Sequence, residues 1–131
     1  MQSYKHFRRQ RVFDKIENSK VGDILPESDI YNYVEYLHGL DNEDFEYGDI
    51  VERIEEFSSY QLQEVNISDI NIGEFGVDWD IVDNYAELIK QSNKYPYVIL
   101  SDTYRIIDGA HRLNALSELG YKKVLAFVGI K

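Results

Sequence analysis

The sequence contains no cysteine. That excludes a disulfide scaffold, a cysteine-ligated zinc or iron–sulfur centre, and any thiol nucleophile. Only two prolines and eight glycines are present, too few for a proline-rich or glycine-rich linker. No apolar run approaches the roughly 18–20 residues that a membrane span requires. The N-terminal stretch MQSYKHFRRQRVF is charged but is not followed by an apolar segment, so it does not read as a secretory signal. These absences lead to the expectation of a soluble, cytoplasmic protein with no membrane contact.

What is present suits a single packed unit. The chain has 131 residues, of which 44% are apolar, and it carries eleven tyrosines and six phenylalanines. One core can be built from these, and a wholly disordered chain is excluded. The net charge of −10 is unevenly spread. Residues 1–20 carry +4, residues 21–60 carry −11 and residues 61–131 carry −3. An acidic body is a poor electrostatic partner for a phosphate backbone. Only the basic start, with Arg8, Arg9 and Arg11, offers a nucleic-acid contact, and a solvated helix face accounts for it more simply.

The first half of the chain reads as helical. Pro26, Glu27 and Asp29 form helix-start chemistry, with Ile30, Tyr33, Val34 and Leu37 at helical spacing and Gly39 as the stop. Residues 41–48 read as an acidic loop, and a second amphipathic helix is expected from Asp49. The second half alternates. Strands are expected over 60–67, 95–100, 104–107 and 122–130, with the middle two paired as a hairpin. Helices are expected over 79–91, capped by Asp78, and over 111–119, stopped by Gly120. In the first of these helices, Ile81, Val82, Tyr85, Leu88 and Ile89 should be buried. Trp79, at its start, reads as a core anchor before it reads as a platform for a nucleobase.

The stretch richest in chemistry is Ile106-Ile107-Asp108-Gly109-Ala110-His111-Arg112-Leu113-Asn114-Ala115. A strand runs into a helix across one glycine, which leaves backbone N–H groups unpaired at a positive helix end. Arg112 falls in the first helical turn, where the dipole disfavours a cation unless an anion is bound. From there it could meet a phosphate with paired donors. His111 could donate to the same anion or act as an acid or base. Asp108 could hold a metal or orient a hydroxyl. The plainer alternative has Asp108 as a helix cap, Gly109 as a tight-turn residue, and Arg112 paired with Glu118 or Asp108 on the surface.

Residues 106–128 resemble the central motif of the ParB/sulfiredoxin superfamily, in which a strand meets a helix through Gly-x-x-Arg-x-x-Ala. Gly109, Arg112, Ala115 and Gly120 match that frame. The resemblance extends over about residues 60–131 and leaves residues 1–59 unexplained. It implies an α/β (α+β) fold, a small mixed sheet with flanking helices, here preceded by a helical N-terminal extension over 1–59 packed on the core. It further implies a nucleotide site for ATP or CTP, with magnesium, in which Gly109, Ala110, His111 and Arg112 line the phosphates. Sulfiredoxins carry a cysteine where this chain has Ala110, so their sulfinic-acid chemistry is not expected. Chromosome-partitioning ParB proteins carry Gly-Glu-Arg-Arg where this chain has Gly-Ala-His-Arg. The free-serine kinase branch, with Asp-Gly-x-His-Arg, is the nearest match in motif. By that resemblance Asp108 is an active-site and metal-binding aspartate, and Glu74 lies in about the region of the branch's catalytic base.

Three functions follow as expectations. The first is an NTP-dependent phosphotransferase acting on a small hydroxyl compound, or an NTPase. In it Asp108, His111 and Glu74 are catalytic, and Asp108, with Glu74 or Asp102, holds magnesium. The second is a ParB-like DNA-binding protein or nuclease using Arg8, Arg9 and Arg11. The third is a non-catalytic interaction protein of a phage or mobile element, acting through its acidic middle. Residues 1–59 could cover the site, hold a partner or form a homodimer.

Overall fold

The computed structural model describes residues 15–40, 47–72 and 77–131, without the side chains of 38–40 and 47–49. Residues 1–14, with Arg8, Arg9 and Arg11, lie outside the described residues, as do 41–46 and Glu74.

After a helical turn at 15–17, the described elements run in this order: β1 (Ile24–Pro26), α1 (Glu27–Leu40), α2 (Tyr47–Glu55), β2 (Ser59–Asn66), a 3-10 turn (Ile67–Asp69), α3 (Trp79–Ser92), β3 (Val98–Leu100), β4 (Ile106–Asp108), α4 (Ala110–Glu118) and β5 (Lys123–Ile130). The five strands form one sheet in the order β1-β2-β5-β3-β4. β3 runs parallel to β5, and the other pairings are antiparallel. The chain therefore forms an α+β unit built on a mixed sheet with helices against it.

Strand alternation sorts the core into two layers. Along β5, Phe127 packs on one face with Tyr60, Leu62, Ile99 and Ile107, under Ile30, Tyr33 and Val34 of α1 and Ile54 of α2. Val124, Ala126 and Val128 point the opposite way and pack with Val98, Leu100 and Ile106 under α3 and α4. The helices of the first half thus cover one face of the sheet, and those of the second half cover the other. Gly129 belongs to the first face. A Cβ there would stand 2.5 Å from the Phe57 ring, so only glycine admits that ring against the strand.

Several expectations are corrected by this arrangement. Residues 24–26 are a strand, although the first half reads as helical, and Pro26 ends that strand before α1 begins. Pro26 is tolerated there because β1 is an edge strand. Gly39 lies within α1, which continues to Leu40. β3 starts at Val98, and β4 starts at Ile106 because Tyr104 adopts a left-handed φ of 63° that breaks the strand. Leu88 is exposed, and the buried positions of α3 are Val82 and Ile89. Trp79 is 56% exposed and is not a core anchor.

Candidate functional site

The junction between β4 and α4 is shaped by Gly109, which has a φ of 107°. That backbone conformation favours glycine. A second constraint acts at the same residue: a Cβ on Gly109 would lie 2.8 Å from Nη2 of Arg112 and 3.2 Å from its Nε. The guanidinium packs directly beneath the glycine backbone, so both conformation and space require the missing side chain. Gly109 also caps α4 and supplies no side-chain hydrogen bond to it. The first α4 bond runs from Leu113 N–H to the Gly109 carbonyl at 2.9 Å. The N–H groups of Ala110, His111 and Arg112 precede it and have no acceptor within the helix.

Arg112 turns inward. It is 3% exposed, the one charged residue in the core of the described structure. Its Nη2 donates to Oδ2 of Asp108 at 2.8 Å. Burial opposes its charge, but Asp108, Tyr33 of α1 and Tyr85 of α3 together outweigh that penalty and hold the guanidinium protonated more firmly than a free arginine. The cation at a positive helix end is therefore answered by an internal carboxylate. The pairing with Asp108 was among the alternatives in the sequence, but its burial was not. Tyr33 and Tyr85 reach Arg112 from two other helices. Nothing in their local sequence marks them.

Tyr33 extends the buried network. Its hydroxyl accepts from Tyr97 N–H at 2.9 Å and donates to Oε1 of Glu17 at 3.4 Å. Desolvation, and then the nearby Glu17 charge, push its phenol far above the ordinary tyrosine range. Tyr97 is packed edge-on to Phe127 and donates its own hydroxyl to the Glu17 carbonyl.

His111 faces a different neighbour. Its Nε2 accepts from the backbone N–H of Asp78 at 3.1 Å. Acceptance at Nε2 leaves the proton of the neutral ring on Nδ1. Asp78 is the N-cap of α3, where its carboxylate accepts from Asp80 N–H at 3.0 Å. The bond from Asp78 to His111 therefore brings the N-terminus of α3 against the N-terminus of α4. The carbonyl of Ala110 is held by Nδ2 of Asn114 at 2.8 Å.

The structure thus gathers Asp108, Gly109, Ala110, His111 and Arg112 at one end of the sheet, with Asp78 beside them. It does not bring Asp102 there. That residue sits in the turn between β3 and β4, beyond the opposite end of β4 from Asp108. Among the described residues no three His, Cys, Asp or Glu side chains are grouped to hold a metal ion. The Asp108 carboxylate is held by Arg112, and Glu74, the other carboxylate expected beside it, lies outside the described residues. No described helix is long and apolar enough to cross a membrane.

No family model matches the chain, and no curated protein matches it. Among solved structures, a crystal form of a pNOB8-like ParB N-domain is similar, with a TM-score of 0.47 and 19% identity over 53% of this chain and 29% of that chain. A second structure of a pNOB8-like ParB N-domain gives a TM-score of 0.40 and 27% identity over 53% of this chain and 27% of that chain. This chain matches less than a third of the length of either.

Proposed function

We propose that this chain binds a nucleotide through its phosphates at the β4–α4 junction. The observation that carries the reading is the convergence of two helix N-termini, fixed by the 3.1 Å bond from Asp78 N–H to His111. The α4 N-terminus, with no side-chain cap, presents unpaired N–H groups and a positive partial charge that favour an anion, and the α3 N-terminus, capped by Asp78, adds its dipole beside it. Gly109 leaves the backbone of the junction uncovered by any side chain of its own. The main-chain N–H groups of Ala110 and His111 are the donors in this account, and Nδ1–H of His111 adds a third. Arg112 shapes the cradle from below, its guanidinium buried and paired with Asp108.

The motif in residues 108–112 adds support, since its resemblance implies a site for ATP or CTP. An NTPase or phosphotransferase step, with His111 offsetting charge that develops on the phosphate, extends the same reading. The test is the His111→Glu variant. Glutamate can still accept from Asp78 N–H, and an acid in the first turn suits the α4 dipole. It also places a negative charge where the phosphate would sit. Nucleotide binding by the wild type and its loss in a folded His111→Glu protein are the expected results. Phosphate release in the same samples distinguishes an NTPase from a binding module.

A further inference from the structure

Trp79 is the first residue of α3 and stands three residues before the buried Val82 and seven before the half-buried Ala86. That spacing puts it on the border of the inward stripe of α3, yet it is 56% exposed. Tryptophan is on average well buried. Its position explains the difference. Helical side chains tilt toward the N-terminus, so a residue in the first turn projects past the end of its helix rather than onto the layer below. Beyond the end of α3 lies His111. The Asp78 N–H is 3.1 Å from His111 Nε2, and Trp79 follows Asp78 directly. Standard backbone dimensions then put the root of the indole within about 8.5 Å of the imidazole.

We infer that Trp79 is the stacking platform for the base of the nucleotide whose phosphates the β4–α4 junction holds. This rests on the phosphate reading of that junction and names the part of the ligand that the reading leaves open. Every nucleobase offers a π face, so the platform accepts purines and pyrimidines alike. It also gives the chain a means of telling a nucleotide from a simple polyphosphate.

Trp79 is the only tryptophan in the chain, so tryptophan fluorescence reports this residue alone. The experiment titrates ATP, CTP and inorganic tripolyphosphate into the wild type, Trp79→Phe and Trp79→Ala, following heat in all three proteins and fluorescence in the wild type. Quenching by both nucleotides and not by tripolyphosphate is expected. Trp79→Ala should bind nucleotides roughly tenfold more weakly, and Trp79→Phe should recover most of that loss. Tripolyphosphate should bind the three proteins alike. Nucleotides that bind wild type and Trp79→Ala equally, without quenching, overturn the stacking role and leave the phosphate site standing. If neither nucleotides nor tripolyphosphate bind the wild type, the phosphate reading fails and the platform fails with it.

Discussion

The Asp108–Arg112 pair sets the physical character of the junction at the scale of single residues. A buried ion pair is worth little against a well-packed apolar substitute, but breaking one leaves an uncompensated buried charge. Arg112→Ala should therefore cost about 3–5 kcal/mol of unfolding free energy. The double variant Asp108→Ala/Arg112→Ala should cost less than the sum of the two single variants. Urea denaturation of the four proteins measures this, and strictly additive losses would show that the two side chains are not coupled. Because Arg112 is structural in this way, its removal is a poor probe of ligand contact. His111, which is half-buried, and Trp79, which is exposed, are the residues that separate binding from folding.

At the scale of elements, β5 lies inside the sheet, paired with β2 on one side and β3 on the other. Gly129 on this strand receives the Phe57 ring, which lies just past the end of α2. Gly129→Ala should overpack that contact and cost about 1–3 kcal/mol. Phe57→Leu in the Gly129→Ala background should cost less than the same change in the wild type. Thermal unfolding of the set checks this, and a neutral Gly129→Ala would show that the ring has room to move. Elements with strong periodicity and caps were legible in the sequence. Asp78 caps α3 and Gly120 follows α4, with Tyr121 N–H closing back on the Leu116 carbonyl at 3.0 Å. The β3–β4 hairpin and the Gly109 junction also stand where the sequence put them. β1 was not legible, because three residues with one buried side chain carry no period, and Pro26 reads equally well as a helix start. The left-handed Tyr104 was not legible either, since nothing local favours that conformation in a tyrosine. The exposure of Trp79 depends on where α3 ends relative to α4, which the periodicity of one helix does not encode.

At the scale of the whole molecule, buried phenols tie the first half of the chain to the sheet. Tyr33 of α1 accepts from Tyr97 N–H, and Tyr60 of β2 donates to the Ile54 carbonyl of α2 at 2.7 Å. Burial pushes both phenols above the tyrosine range, and it raises Tyr95 and Tyr97 as well. A phenol raised in the folded state contributes stability that is complete below its unfolded value of about 10 and is lost as pH climbs toward the folded value. The melting temperature should hold through pH 9 and fall steeply above about pH 10. Phenolate absorbance from these buried groups should appear with unfolding. Smooth ionisation of all eleven tyrosines near pH 10 with the fold intact would contradict this. The central claim is the phosphate cradle at the end of the sheet. Calorimetric titration of ATP and CTP into the wild type and His111→Glu tests it most directly. The account predicts saturable one-to-one binding in the wild type, weakened at least tenfold in a variant whose melting temperature is unchanged or higher. No saturable binding in the wild type, or equal binding in the two proteins, would contradict it.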